Sequence, residues 1–292
     1  MQNNCNLDKT FIKEFLCDSL IERRRSRRWS IFFKFIFLLF FLFLFSVIFY
    51  NNKKIEHVAV VNISGLISDN SYTNAKCIIM SLDEAFADKK SKAVILKINS
   101  PGGTPVQSNI IYNHIKKLRQ IYSSKPIYAV IEDIGTSGAY LIALAAEKIY
   151  CNPYSIVGSI GVVISSFGFS NAINKLGIER RIYKAGKNKV IMDPFLEKSL
   201  DDEKMLQHDL DIMHENFINL VKQNRSDNLM LFDEHDVFSG KFWVGIEALS
   251  VGLIDGFSDI YSLSSDIIKI PLLIEYKHDQ NILNVFARSI KN

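Results

Sequence analysis

Residues 92–122 read KAVILKINSPGGTPVQSNIIYNHIKKLRQIY, and they carry the choice of fold. Positions 92–99 are a nearly continuous apolar run, the pattern of a strand covered on both faces in a mainly parallel sheet. SPGG ends the run at 100–103. Thr104 and Pro105 then supply a cap and first-turn pair for a helix whose apolar residues keep helical spacing to 122. The same rhythm extends both ways. Upstream, 56–67 (EHVAVVNISGLI) is rich in β-branched residues and closes on Ser-Gly, so it reads as a strand, and 73–90 follows as a helix. Downstream come a strand at 126–132, a turn around Ser137 and a small-residue helix at 138–147. Alternation of this kind predicts an α/β fold with a mainly parallel sheet and right-handed crossovers. Further strands are expected at 158–164 and 177–186 with a short helix, FSNAINKL, between them, then helices at 201–223 and 240–249.

The chain has 292 residues, without internal repeats or low-complexity linkers, and one main domain is the economical reading. Its formal charge of +4 is local, because the five arginines between 23 and 28 alone exceed it; nothing here points to nucleic-acid binding. Those arginines precede IFFKFIFLLFFLFLFSVIFY, residues 31–50. A helix of that length covers about 30 Å, enough for the hydrocarbon core of a bilayer. Lys34, near its start, can snorkel back toward the arginines. The run is longer than the ~7–15 apolar residues of a cleavable signal, and no A-x-A site follows it, so it reads as an uncleaved signal anchor in contact with membrane lipid. The positive-inside rule then leaves 1–30 as a cytoplasmic Arg-rich tail and puts residues 51–265 on the exported side of a bacterial-type cell membrane. Residues 266–292 are an extension whose end, NILNVFARSIKN, reads either as a partner helix or as a frayed tail. Cys5 and Cys17 precede the span and are expected reduced; Cys77 and Cys151 fall on the exported side, where pairing is open to them, but their apolar contexts suit buried free thiols. No cysteine spacing resembles a zinc site, and no cofactor is implied.

Two glycine-bearing turns follow apolar strands, and strand ends of this kind are where α/β sheets bind ligands. Gly102 and Gly103 let the backbone approach a ligand closely. Ser137, in GTSGA, opens the next helix: it is either a cap or a nucleophile, and the motif is not the G-x-S-x-G elbow, because Ala139 replaces the last glycine. The N–H groups of Gly103 and Gly138 are placed to hold an oxyanion beside that hydroxyl. The six histidines, at 57, 114, 208, 214, 235 and 278, show no pairing pattern with a carboxylate and are expected at the surface or in caps. A lysine base remains, provided its amine is neutral. KAGKNKVIMDPF offers Lys184, Lys187 and Lys189, of which only Lys189 leads straight into an apolar run.

Five stretches in this order, INSPGG (98–103), GTSGAYLIALAAEKIYCNP (135–153), VGSIGVV (157–163), KAGKNKVIMDPF (184–195) and FSGKFWVGIEALSVGLID (238–255), resemble the signal peptide peptidase A family of membrane-anchored Ser-Lys serine peptidases in its short, single-domain form. The likeness covers roughly residues 55–260. It implies a fold of the caseinolytic-protease/crotonase type. It assigns the nucleophile to Ser137, the general base to Lys189, and to Ser159 the orienting of the lysine amine. The oxyanion hole becomes Gly103 with Gly138 and the neighbouring Gly102. It further implies peptide substrates such as signal-peptide remnants, and a dome-shaped homo-oligomeric ring, an octamer among the sizes open to it, in which serine and lysine come from adjacent protomers. The family pattern departs here at Ala139, where a second glycine is common, and at the extra Lys187. Two rival readings are a crotonase-like acyl-thioester enzyme and a non-catalytic membrane scaffold on the same fold; an export signal argues against the first, and retention of both serine and lysine against the second.

Overall fold

The computed structural model describes residues 25–45, 55–225, 229 and 234–278. Helix α1 (Arg25–Phe45) has 21 residues, is exposed along its whole length, and is long and apolar enough to cross a membrane. Within the described residues it is already helical at Arg25, ahead of the apolar run at 31, and no Gly or Pro interrupts the chain between them. The rest of the expected span, together with Cys5, Cys17 and the tail 281–292, lies outside the described residues.

Residues from 56 onward form a separate compact unit. Its first half alternates as expected: β1 (His57–Ser64), α2 (Ala75–Ala87), β2 (Ser91–Ser100), α3 (Pro105–Ile121), β3 (Ile127–Thr136), α4 (Gly138–Ala143), β4 (Lys148–Cys151) and β5 (Ile156–Gly158). Then follow α5 (Ser170–Lys175), the long α6 (Leu200–Arg225), α7 (Glu234–Val237), β6 (Phe242–Val244), α8 (Gly245–Ser250), β7 (Gly256–Phe257), α9 (Ile260–Ser262), a π-helical turn (Leu263–Ile267) and β8 (Leu273–Tyr276). The sheet runs β6-β5-β3-β2-β1-β8, with β4 beside β3 and β7 beside β4. Among the described residues every pairing is parallel except β5 with β6.

The apolar run in β2 has a direct cause. Val94, Leu96 and Ile98 pack into the main core with α2, α3 and α4, while Ala93 and Ile95 point the other way, into a second cluster with Ile260 and Leu263. Both faces are covered, so polar alternation would cost burial energy of about 1.5–3 kcal/mol per large side chain. Helix ends are closed by side chains: Asn74 accepts from the Cys77 N–H at 2.9 Å, and the Lys125 amine donates to the carbonyls of Ala85, Phe86 and Asp88 at the end of α2. β3 forks. Its residues 128–131 pair with β4, whereas 134–136 pair with β5, and this second half carries the chain to Ser137.

Four expectations shift. Helix α4 stops at Ala143 rather than 147; two tight turns follow, and Arg119 takes the carbonyls of Ala145 and Ala146. The strand expected at 158–164 ends at Gly158, because Ser159 turns away at φ 51°. No strand forms at 177–186, where the chain runs along the surface with no neighbouring strand to bond. The helix expected at 240–249 is split into β6 and α8, and β6 completes the sheet edge against β5. The expected extension from 266 contributes β8, which pairs with β1. Cys77 and Cys151 are both buried, and burial pushes the Cys151 thiol up to about 11.

Candidate active site

Ser137 stands at the corner between β3 and α4 with φ 52° and ψ −125°, a conformation that strains any residue bearing a side chain. Its neighbours hold it there. The Ser137 N–H donates to the Gly158 carbonyl at 2.8 Å, and its own carbonyl accepts from the Leu141 N–H at 3.0 Å. The side chain makes no capping bond to α4, so the hydroxyl is left half-buried and uncommitted to the helix.

The Gly-Gly turn meets this corner. Ile67 donates its N–H to the Gly102 carbonyl at 2.9 Å and accepts from Thr104 at 2.8 Å, while the Gly102 N–H goes to the Ser100 hydroxyl at 3.1 Å. Thr136 ties the two turns together by donating its hydroxyl to the Pro101 carbonyl at 3.1 Å. Contact is so close that only glycine fits. A β-carbon on Gly102, itself at φ 99°, would lie 2.8 Å from the Gly138 nitrogen; one on Gly138 would lie 2.3 Å from the buried Ser108 hydroxyl and 3.3 Å from the Gly103 nitrogen. Neither the Gly103 nor the Gly138 N–H has a protein acceptor among the described residues, the latter because it opens a helix. Two free N–H groups thus converge beside one hydroxyl. That is the geometry for stabilising a tetrahedral oxyanion.

Ser137, Gly103, Gly138 and Ser159 all line one cleft of about 1090 Å³. Its apolar lining is Pro105, Val106, Leu141, Val162 and Val163, with Met213, Phe217 and Leu220 from α6; Asn109, Asn216, Asn219 and Gln223 add amide side chains. Among the described residues, no Asp, Glu, Lys or Arg lines it. Ser159, like Ser137, has a positive φ (51°), and its N–H is held by the Lys241 carbonyl at 2.8 Å.

The three candidate lysines lie apart from the cleft lining. The Lys184 amine bonds the Lys187 carbonyl at 2.8 Å, and the Lys187 amine pairs with Asp201 at 3.1 Å, both on the surface. Lys189 is exposed in a turn, and its amine has no partner among the described residues. Lys189 is not among the residues that line the cleft with Ser137.

Two histidines differ from expectation. His57 is fully buried and shares a hydrogen bond with the Tyr276 hydroxyl at 2.9 Å. His214 lines the cleft, where its Nε2 lies 3.1 Å from the Ile160 carbonyl. Neither position is legible from spacing, because α6 reads as an ordinary amphipathic helix until its packing against the cleft is known. His114 is a surface residue paired with Asp83. Behind the corner, the Tyr140 hydroxyl donates to the Leu253 carbonyl at 2.7 Å; burial raises its pKa far beyond the ordinary range. Arg225 holds Asp255 at 2.7 Å and the Gly252 carbonyl at 2.9 Å. Burial raises the Asp255 carboxyl, but the Ile149 N–H and Arg225 outweigh it, and the net direction is down.

Such a fold with such a corner defines the class of serine peptidases on the caseinolytic-protease/crotonase scaffold. Residues 119–266 match the family model Peptidase family S49, and the chain belongs to that family. Over 240 residues it is 30% identical to a protein of Enterococcus faecium named for signal peptide peptidase SppA, a match covering 78% of this chain and 68% of that one. Protease 4 of Haemophilus influenzae is 29% identical over 228 residues, 76% of this chain and 35% of that protein. A stretch of 182 residues, 62% of the chain, is 50% identical to part of a protein of Brucella abortus named Na(+)/H(+) antiporter NhaA. The chain spans only 24% of that protein's length, so the likeness is to one quarter of it.

Proposed function

We propose that this protein is a membrane-anchored serine endopeptidase that uses a Ser137–Lys189 dyad on apolar peptides, remnant signal peptides among them. Ser137 attacks the scissile carbonyl: its Oγ–C bond forms as Lys189 takes the hydroxyl proton. The amine leaves with that proton as the C–N bond breaks, and water then hydrolyses the acyl-enzyme by the same path. Gly103 and Gly138, backed by Gly102, hold the oxyanion; Ser159 orients the lysine amine. The observation that carries this reading is the strained, uncapped Ser137 hydroxyl beside two free N–H groups in a cleft without charged walls. The apolar side chains of the lining, Val106, Leu141, Val162, Val163 and Phe217 among them, suit hydrophobic peptide segments.

Lys189 reaches the serine of a neighbouring protomer in a homo-oligomeric ring. The support is its exposed amine, without a partner among the described residues, and the exposed apolar residues that precede it in the chain, Val163, Phe167, Leu176 and Tyr183, which a second copy would cover. Helix α1 anchors the protein in the membrane; the arginines at its start keep the N-terminus cytoplasmic and export the peptidase unit.

The test is covalent labelling of the full-length protein by a fluorophosphonate, with the modified residue mapped by mass spectrometry. Label at Ser137, lost in Ser137→Ala and Lys189→Ala but kept in Lys187→Ala, is the expected result. A Ser137→Ala protein that still cleaves peptides overturns the reading.

A further inference from the structure

We propose that His214 is a positioning residue: it holds the Ile160 carbonyl and thereby fixes Ser159 in the cleft. This rests on the reading of Ser159 as the group that orients the lysine base.

Ser159 follows Gly158, and both residues have positive φ, 51° and 98°. A serine with positive φ costs energy relative to ordinary backbone, and surrounding contacts are what hold it there. On its N-terminal side the hold is in the sheet: β5 pairs with β6, and the Ser159 N–H donates to the Lys241 carbonyl at 2.8 Å. On its C-terminal side there is no ladder, because the chain leaves the sheet at Gly158. The contact that replaces it comes from α6, where the His214 Nε2 lies 3.1 Å from the Ile160 carbonyl. A carbonyl only accepts, so the proton sits on Nε2 and the imidazole donates. Ser159 is thus pinned between one bond from β6 and one from α6. His214 is half-buried in the cleft wall, and it stands one α-helical turn before the apolar wall residue Phe217. Truncating it frees the backbone that carries Ser159 without removing any group that touches the scissile bond.

The chemistry separates positioning from mere filling of the wall. Glutamine places an amide N–H near the imidazole Nε2 position, asparagine places one near Nδ1, and leucine keeps bulk without a donor. With a fluorogenic apolar peptide and the full-length protein in detergent micelles, His214→Leu and His214→Asn should lower kcat about five- to tenfold, the effect of losing one net hydrogen bond, with KM nearly unchanged. His214→Gln should restore most of the rate. In a Ser159→Ala background the leucine variant should cause no further loss, since both changes remove the same function. A loss confined to KM, equal losses for glutamine and asparagine, or full additivity with Ser159→Ala overturns the proposal. If the leucine variant does not assemble, the glutamine–asparagine contrast decides. Activity retained in Lys189→Ala would remove the dyad itself. An inactive Lys189→Ala with no His214 contrast removes this inference alone.

Discussion

At the scale of single residues, the corner at Ser137 is a junction of close backbone contacts. Position 138 shows it best, because the missing β-carbon is what lets the Gly138 N–H and the Ser108 hydroxyl share one space. Gly138→Ala should therefore push α4 off the Gly-Gly turn and lower kcat/KM by about 10²-fold or more, the cost of losing one oxyanion donor. Ser108→Gly, which removes the colliding hydroxyl, should return part of that loss in the double variant; steady-state kinetics on the four proteins checks it. Cys151 allows a second prediction. With its thiol pushed up to about 11 and the side chain buried, alkylation by iodoacetamide at neutral pH should be far slower in the folded protein than after denaturation, read by mass spectrometry.

At the scale of elements, α6 joins two tasks. Its middle walls the cleft through Met213, Phe217 and Leu220, and its last residue, Arg225, is locked to Asp255 and to the Gly252 carbonyl. Asp255 in turn accepts from the Ile149 N–H at the start of β4, so one carboxylate fastens helix, strand and the loop behind Tyr140. Because the folded state holds this carboxyl below the range of an unfolded aspartate, about 3.9, its contribution is complete above that value and is lost as pH falls through the lower, folded one. Asp255→Asn should lower stability at pH 7 by about 3 kcal/mol, since Arg225 is left buried without its charge partner. It should also flatten the acid side of the stability profile. Urea melts at pH 3 to 7 measure both.

For the whole molecule, the absence of Lys189 from the lining of the cleft that holds Ser137 makes a subunit-mixing experiment decisive for the proposed ring. Ser137→Ala and Lys189→Ala are each expected to be inactive alone. Unfolded and reassembled together, they should regain up to about a quarter of wild-type activity if each site takes its serine from one protomer and its lysine from the next. A dyad closed within one protomer would leave the mixture inactive.

Much of this architecture is legible in the residues alone. The run at 92–99 implies a strand buried on both faces, because apolar residues at consecutive positions can be satisfied only by covering both sides. SPGG and GTSGA mark the strand ends, because glycine and small residues are what close backbone contacts demand. The arginines followed by 31–50 indicate a span by length and composition. Other features depend on contacts between distant segments and leave no local trace. Ser159 turns out of the sheet because the Lys241 carbonyl at the start of β6, more than 80 residues later, takes its N–H. His214 faces the cleft because α6 packs there, and 177–186 stays unpaired for want of a neighbouring strand. Local periodicity determined which segments are strands and helices and which turns can carry chemistry. Tertiary packing alone decided which side chains those turns meet, since register and burial are set between segments rather than within them.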